Sequence, residues 1–203
     1  ILLQFLGRYE DAIPVFEWLA RRDPVNATAI GNLGFARLLA GQFEEAKNAI
    51  EKALVLSPED VDWLWGRIRL LYFYAQDYES ALHSCESLDD VPALKLYCLA
   101  WVYPQLGRED EGKTALLALE QTHDKDWASP IAQYYAWHNQ PDAAIDWLEK
   151  GYQIDGKAAV SSAWRDWIYD PIRDDPGFQE LLERTGVSRE QLAAIEFEVP
   201  LPD

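Results

Sequence analysis

The sequence of 203 residues contains no methionine, two cysteines and three histidines. Two cysteines are too few for a disulfide framework, and they cannot complete a zinc site by themselves. The histidines, His83, His123 and His138, lack a cysteine or carboxylate at the spacing of metal ligands. A glycine-rich phosphate loop is absent as well, so we predict neither a metal site nor a cofactor.

The two cysteines, Cys85 and Cys98, fall on neighbouring predicted helices. Because free cysteine is among the most buried residue types, both are expected to be small buried side chains. A disulfide between them is the alternative if the chain folds outside the cytoplasm, since disulfides persist in oxidising compartments. The sequence leaves both alternatives open.

Long apolar runs and positive charge are also scarce. No stretch reaches the roughly 18 apolar residues that a membrane-spanning helix needs. Lys and Arg number 18 against 35 Asp and Glu, which gives a formal net charge of −17. Such a chain repels phosphate groups, so we expect this segment to bind neither nucleic acid nor an anionic membrane surface directly.

A repeated pattern dominates what is present. Three pairs of similar residues are each 34 positions apart: Gly7 and Gly41, Tyr9 and Phe43, and Ala12 and Ala46. Within the stretch from Gly41 to Pro58, apolar residues recur at the spacing of one buried helical face. Pro24, Pro58 and Pro92 keep the same interval of 34. The period therefore predicts successive helix-turn-helix units.

This period and motif resemble the tetratricopeptide repeat (TPR), a helix-turn-helix unit of 34 residues. The resemblance implies an all-α, right-handed TPR superhelix. We expect a TPR array of about five units over residues 1–156, the first one incomplete, and C-terminal capping helices with an extended tail over residues 157–203. Gly34 should let two helices approach closely, as small residues do in this family.

Two residues depart from the repeat pattern. Gly112 stands where the repeat has alanine, and Pro104 lies within a first helix. Because proline lacks an amide hydrogen and clashes with the preceding turn, that helix should kink or end near Tyr103.

Several local patterns predict helix ends. Ser57 is the expected N-cap before Pro58, with Asp60 as a partial capping box. Asp170 and Asp175 each precede a proline and are expected to cap helices in the same way. Further on, Gly186 is the expected C-cap, and the stretch from Ser188 to Gln191 should open a last short helix.

In TPR proteins the first helix of each unit lines a concave face. Carried over position by position, the resemblance implies a partner-binding groove of mostly aromatic residues: Asn32, Phe35, Trp63, Arg67, Phe73, Tyr97, Trp101 and Trp137. Aromatic side chains on rigid helices are common in peptide recognition, so the implied partner is a protein or peptide. The alternative is that these rings pack between repeats and leave no open groove. A chaperone carboxylate clamp is not expected, because Gly31 and Phe35 occupy positions where that clamp needs Lys and Asn.

The C-terminal end carries a second resemblance. The segment from Trp167 to Leu182, followed by Gly186, is similar to the end of TPR regions in bacterial signalling proteins. These include CadC-type winged-helix regulators and class III adenylate cyclases. The resemblance implies a non-catalytic interaction or sensory module within a longer signalling or transcription-regulatory protein. Whether it works in the bacterial cytoplasm or the periplasm would depend on the part upstream.

Self-association is a further expectation. The incomplete first unit would expose an apolar stretch that favours a homo-oligomer or additional repeats, namely Ile1, Leu2, Leu3, Phe5 and Leu6.

Two other functions compete with the interaction module. A carbohydrate-active enzyme on a helical frame would use paired carboxylates, and the pairs Asp89-Asp90 and Asp174-Asp175 are its candidates. Both pairs lie beside a proline at a predicted helix boundary, where capping accounts for them. A cell-envelope assembly scaffold is the third alternative. We therefore predict a protein that is not an enzyme.

Overall fold

A computed structural model describes residues 3, 8–161 and 163–195, and all regular structure in these ranges is helical. The α-helices are α1 (Tyr9–Arg22), α2 (Ala27–Leu39), α3 (Phe43–Leu56), α4 (Val61–Arg69), α5 (Tyr78–Glu86), α6 (Pro92–Gln105), α7 (Glu109–Thr122), α8 (Ala128–Trp137), α9 (Pro141–Asp155), α10 (Pro176–Thr185) and α11 (Arg189–Ala193). Leu70–Ala75 forms a π-helix, and Gly156–Ala159 and Trp167–Ile172 form 3₁₀-helices. The predicted all-α class with a helical C-terminal end is confirmed. None of the described helices is both long and apolar enough to cross a membrane.

The chain divides into two compact units. Described residues 8–116 form the N-terminal unit and residues 117–195 form the C-terminal unit, so the boundary falls inside α7. The predicted boundary after residue 156 separates repeats from cap and is a different kind of division. It stays a prediction. Of the apolar residues expected to drive self-association, Leu3 is buried. Ile1, Leu2, Phe5 and Leu6 lie outside the described residues, as does the tail 196–203.

One turn conformation recurs between the two helices of successive helix-turn-helix repeats. Gly41, Gln76, Gly107 and Asn139 have φ angles of 76°, 52°, 73° and 54°, all in the left-handed region. A Cβ added to Gly41 or Gly107 would meet nothing within 4 Å, so the backbone angle rather than space is what requires glycine there. Asparagine tolerates this conformation better than most residues, which explains Asn139.

Glycines also set the distance between helices in the N-terminal unit. A Cβ on Gly34 of α2 would lie 2.7 Å from Ile50 Cγ1 of α3, which confirms the expected close approach. On the same helix, a Cβ on Gly31 would lie 2.3 Å from the indole of Trp63. The core formed around these contacts joins α2, α3, α4 and the π-helix and contains Ile30, Leu38, Ala46, Ala49, Ile50, Ala53, Leu54, Trp63 and Leu70.

The two departures from the repeat pattern form one contact. Helix α6 runs on to Gln105, with Pro104 in its last turn, so it ends close to the predicted position near Tyr103. A Cβ on Gly112 of α7 would lie 2.8 Å from Pro104 Cδ. Gly112 therefore makes room for the proline ring.

Two predicted helix starts are wrong. Helix α4 is capped by Asp60, whose Oδ1 accepts a hydrogen bond from the Asp62 amide at 3.1 Å, so Ser57 is not its N-cap. Both residues can cap a helix, but Asp60 has the extended backbone that an N-cap needs. Asp170 lies inside the second 3₁₀-helix, which is capped by Asp166 instead.

The predicted ends of the last helices are confirmed. Asp175 Oδ1 accepts hydrogen bonds from the amides of Gly177 and Phe178 at 2.9 and 3.1 Å. Gly186 ends α10 with a φ of 75°. Ser188 and Gln191 form a reciprocal capping box at the start of α11.

Cys85 of α5 and Cys98 of α6 are fully buried and joined by a disulfide, with their Cα atoms 5.6 Å apart. The bond joins two residues 13 positions apart within the N-terminal unit.

Candidate functional site

Six aromatic rings of the N-terminal unit form a continuous set of ring contacts, which we call the aromatic cluster: Trp65, Tyr72, Phe73, Tyr78, Tyr97 and Trp101. Trp101 holds the centre, because its ring lies 5.3 Å from Phe73, 5.6 Å from Tyr72 and 5.9 Å from Tyr97. Edge-to-face ring pairs at such distances are favourable beyond the area they bury. Gln105 donates a hydrogen bond to the Tyr72 hydroxyl at 2.9 Å and fixes that ring from the end of α6.

The cluster has a buried floor and a partly exposed rim. Tyr97 and Trp101, both predicted to bind a partner, are 1% and 3% exposed. Phe73, also predicted, and Trp65 are half-buried and present part of each ring to solvent. Because Trp65 lies 5.1 Å from Tyr97, each rim ring rests directly on a floor ring. The floor rings therefore restrict the movement of the rim rings, and side chains ordered in this way lose little conformational entropy in a contact.

Trp63, another predicted groove residue, is 5% exposed. Its indole lies over Gly31, where the missing side chain leaves space for it. The indole nitrogen is buried and has no hydrogen-bond partner among the described residues. Trp63 thus packs α4 against α2, as the alternative without an open groove predicts for this residue.

Phe35 and Asn32 lie on α2. Phe35 is half-buried, and the guanidinium of Arg69 lies 5.9 Å from its ring centre. Arg69 is itself only 2% exposed, so it supports Phe35 from within the unit. Asn32 donates a hydrogen bond to the carbonyl of Thr28 at 2.9 Å, so one of its amide hydrogens is used within its own helix.

The remaining two predicted residues lie elsewhere. Arg67 lines a small cavity between α3 and α4. Trp137 belongs to the C-terminal unit, where its ring lies 5.9 Å from that of Trp167. The structure therefore places Phe73 and Tyr97 against the same residue, Trp101. The other three, Trp63, Arg67 and Trp137, occupy three separate environments.

Sequence reasoning missed several members of this site, above all Trp65, Tyr72, Gln105 and Arg69. The family pattern assigns only certain helical positions to the concave face, and these residues fall between them. The signal available was the aromatic density of the stretch 63–78.

The carboxylate pairs do not form a catalytic arrangement. Asp89 and Asp90 are exposed, and Asp89 forms an ion pair with Lys95 at 2.6 Å. Asp174 is exposed, and Asp175 caps α10. Within the described ranges, no three His, Cys, Asp or Glu side chains gather where they could hold a metal ion.

Two comparisons place this geometry among known folds. A tetratricopeptide repeat family model matches residues 6–65. A crystal structure of MamA is similar to this chain with a TM-score of 0.51 at 19% sequence identity, covering 77% of this chain and 94% of the MamA chain. The fold is that of tetratricopeptide repeats. No curated protein matches the sequence.

Proposed function

We propose that this chain is a non-catalytic interaction module whose N-terminal unit binds a peptide or protein segment over the rim of the aromatic cluster and Phe35. The observation that carries the proposal is the two-layer arrangement, in which partly exposed rings rest on buried rings. Rigid aromatic side chains of this kind are common at the centre of protein interfaces. TPR folds commonly serve as scaffolds for protein-protein contacts, which agrees with this arrangement.

The predicted groove is revised by the burial of its members. Phe35 and Phe73 remain as residues that touch the partner, and Trp65 joins them. Tyr97 and Trp101 support the rim from below. In this proposal Trp63 and Asn32 order the helices beneath the surface.

A proposal for the kind of protein to which this chain belongs rests on the resemblance of its C-terminal segment to bacterial signalling proteins. We propose that the chain is the interaction or sensory part of a bacterial signalling or transcription-regulatory protein, as the segment from Trp167 to Gly186 implies. The net charge of −17 favours a partner segment that carries lysine or arginine beside its apolar side chains. A carbohydrate-active enzyme gains no support, because its candidate carboxylates cap a helix, form an ion pair or face solvent.

A peptide library displayed on phage tests the proposal. The purified chain is expected to select peptides that combine aromatic or aliphatic residues with basic ones. Phe73→Ala should weaken the selected peptides about tenfold or more, since central interface rings are worth 1.4 kcal/mol or more. Leu117→Ala is the control, because Leu117 is 54% exposed and belongs to the other unit. Equal losses in both variants, or no selected peptide, would overturn the proposal.

A further inference from the structure

The disulfide joins two helices that belong to successive helix-turn-helix repeats. Helix α5, the second helix of its repeat, carries Cys85, and α6, the first helix of the next repeat, carries Cys98. Both cysteines are 0% exposed. Because the stability of a repeat protein depends on the contact between neighbouring repeats, the bond lies where it can fix one repeat against the next.

Helix α5 buries few apolar side chains. It has 9 residues, whereas α3, the second helix of the preceding repeat, has 14. Besides Cys85, the apolar residues that α5 buries are Ala81 and Leu82. A helix of this length is marginal without tertiary packing. The covalent bond therefore compensates for a small packing surface.

The polar contacts between α5 and α6 are exposed. Lys95 of α6 donates a hydrogen bond to the carbonyl of Glu86 at 3.0 Å and forms an ion pair with Asp89 at 2.6 Å. The side chain of Asp89 is 82% exposed, and ion pairs at such positions contribute little to stability. We therefore expect the position of α5 against α6 to depend strongly on the disulfide.

The two bonded helices both carry rings of the aromatic cluster. Helix α5 begins at Tyr78, whose ring lies 5.4 Å from that of Tyr72. Helix α6 carries Tyr97 and Trp101, on either side of Cys98 in the sequence. The ring of Trp101 lies 5.6 Å from that of Tyr72. Tyr72 thus contacts rings from both helices, and a shift of α5 against α6 changes the support beneath the rim.

We propose that the bond between Cys85 and Cys98 couples the redox state of the chain to partner binding over the aromatic cluster. The oxidised chain holds α5 against α6 and keeps the rim in its binding form. Reduction by a dithiol transfers two electrons and two protons, which leaves two thiols in the chain and a disulfide in the reductant. Helix α5 then separates more readily from α6, and the affinity for the partner falls. This regulation rests on the proposed function.

The burial of both sulfur atoms determines how reduction proceeds. A reductant does not reach them in the closed structure, so exchange requires local opening. Cys85 lies in the last turn of α5, and the next two residues, Glu86 and Ser87, are exposed. Opening of this turn is the shortest route to the bond. The switch therefore responds slowly, to a sustained change in redox conditions.

Titration of a phage-selected peptide into the oxidised and the reduced chain tests the coupling. Complete reduction, verified by the mass of the alkylated chain, should weaken binding at least about fivefold, the lower end of the usual coupling between two sites. Cys85→Ala with Cys98→Ala should bind as weakly as the reduced chain and ignore reductant, because it lacks the bond but keeps the space apolar. Equal affinity of the oxidised and reduced chains, or tight binding by the double variant, would overturn the proposal.

Hydrogen exchange followed by mass spectrometry needs no peptide, so it separates this proposal from the proposed function. After reduction the amides of α5 should exchange faster, whereas those of α8 and α9 in the C-terminal unit keep their rates. Faster exchange throughout would mean that reduction unfolds the chain, and unchanged exchange in α5 would mean that the bond does not fix this helix. Either result rejects the switch. If α5 responds but the oxidised chain binds no selected peptide, the proposed function fails and the coupling is rejected with it.

Discussion

The two units differ in the packing of their central aromatic rings. In the C-terminal unit, Tyr169 and Phe178 stack at 5.6 Å and are 2% and 0% exposed, so these rings belong to the core. In the N-terminal unit, Tyr97 and Trp101 are as deeply buried, but they support rings that remain partly exposed. Our proposal assigns partner binding to the N-terminal unit on the basis of these partly exposed rings.

The C-terminal unit is stabilised by polar contacts at its chain ends and turns. Arg173 donates hydrogen bonds to the carbonyl of Asp166 at 2.9 Å and to Asp170 at 2.8 Å. Lys150 forms an ion pair with Asp124 at 2.7 Å, and that contact lowers the pKa of the Asp124 carboxyl. The N-terminal unit has such contacts too, among them the ion pair of Arg37 with Glu17 at 2.7 Å, and it adds close helix packing at its glycines and one covalent bond.

The largest effects are expected when one aromatic side chain in each unit is replaced by alanine. Phe178→Ala should lower the free energy of unfolding by about 3–5 kcal/mol, because it leaves a cavity in a closed core. Phe73→Ala should cost much less, since the ring is half-buried, yet it should abolish most peptide binding. Thermal melts followed by circular dichroism, together with peptide titration, measure both effects. The reverse order of stabilities would contradict the assignment of roles.

Reduction of the Cys85–Cys98 disulfide is the next largest perturbation. Opening this link between residues 13 positions apart should cost about 2–4 kcal/mol, mainly by freeing the unfolded chain. Cys85→Ser with Cys98→Ser should reproduce the melting temperature of the reduced protein and become insensitive to reductant. An unchanged melting temperature after complete reduction, verified by intact mass, would show that the bond adds no stability.

Two tyrosine–glutamate hydrogen bonds give a matched pair across the units. Tyr135 donates to Glu120 in the C-terminal unit, and Tyr74 donates to Glu44 in the N-terminal unit. Burial, and then the hydrogen bond, raises the pKa of Tyr135; the hydrogen bond is the main cause of the raised pKa of Tyr74. Tyr135→Phe should cost about 1–2 kcal/mol, and Tyr74→Phe much less because Tyr74 is exposed.

The pH dependence of this pair follows from the direction of the shifts. Because both pKa values are raised on folding, the hydrogen bonds stabilise the protein fully below the unfolded value of about 10 and lose effect as pH rises further. Urea unfolding at neutral and alkaline pH measures this loss. Tyr135→Phe should reduce it more than Tyr74→Phe, and equal reductions would contradict the difference in burial.

The smallest expected effect is an increase in stability at a turn. Gln76 holds the left-handed turn conformation that glycine holds at Gly41 and Gly107 in the same unit. Gln76→Gly should therefore raise the free energy of unfolding by about 0.5–1 kcal/mol. Asn139→Gly, at the corresponding turn of the C-terminal unit, should gain less because asparagine already tolerates this angle. Urea titrations of both variants decide the order, and a loss of stability in Gln76→Gly would contradict it.

Features that depend on local pattern could be predicted from the sequence. The helix-turn-helix period, the close approach at Gly34 and the caps at Asp175 and Gly186 each follow from a few neighbouring residues. The choice of Asp60 over Ser57 could not be made, because both are good caps three residues apart.

Features that depend on distance between helices could not be predicted. Helical position assigns Trp63, Tyr97 and Trp101 to a face, but their burial depends on how closely the next helix approaches. The π-helix at Leu70–Ala75 has no local signal that separates it from an α-helix. Pairing of Cys85 with Cys98 required both the helix register and the interhelical distance.

The contact between Gly112 and Pro104 has a consequence for how this chain can evolve. Gly112→Ala would press a methyl group against the proline ring, and Pro104→Ala would leave the space beside Gly112 unfilled. We therefore expect each single substitution to be less stable than the pair in which both residues are replaced by alanine. Substitutions at positions 104 and 112 are therefore expected to occur together in related sequences.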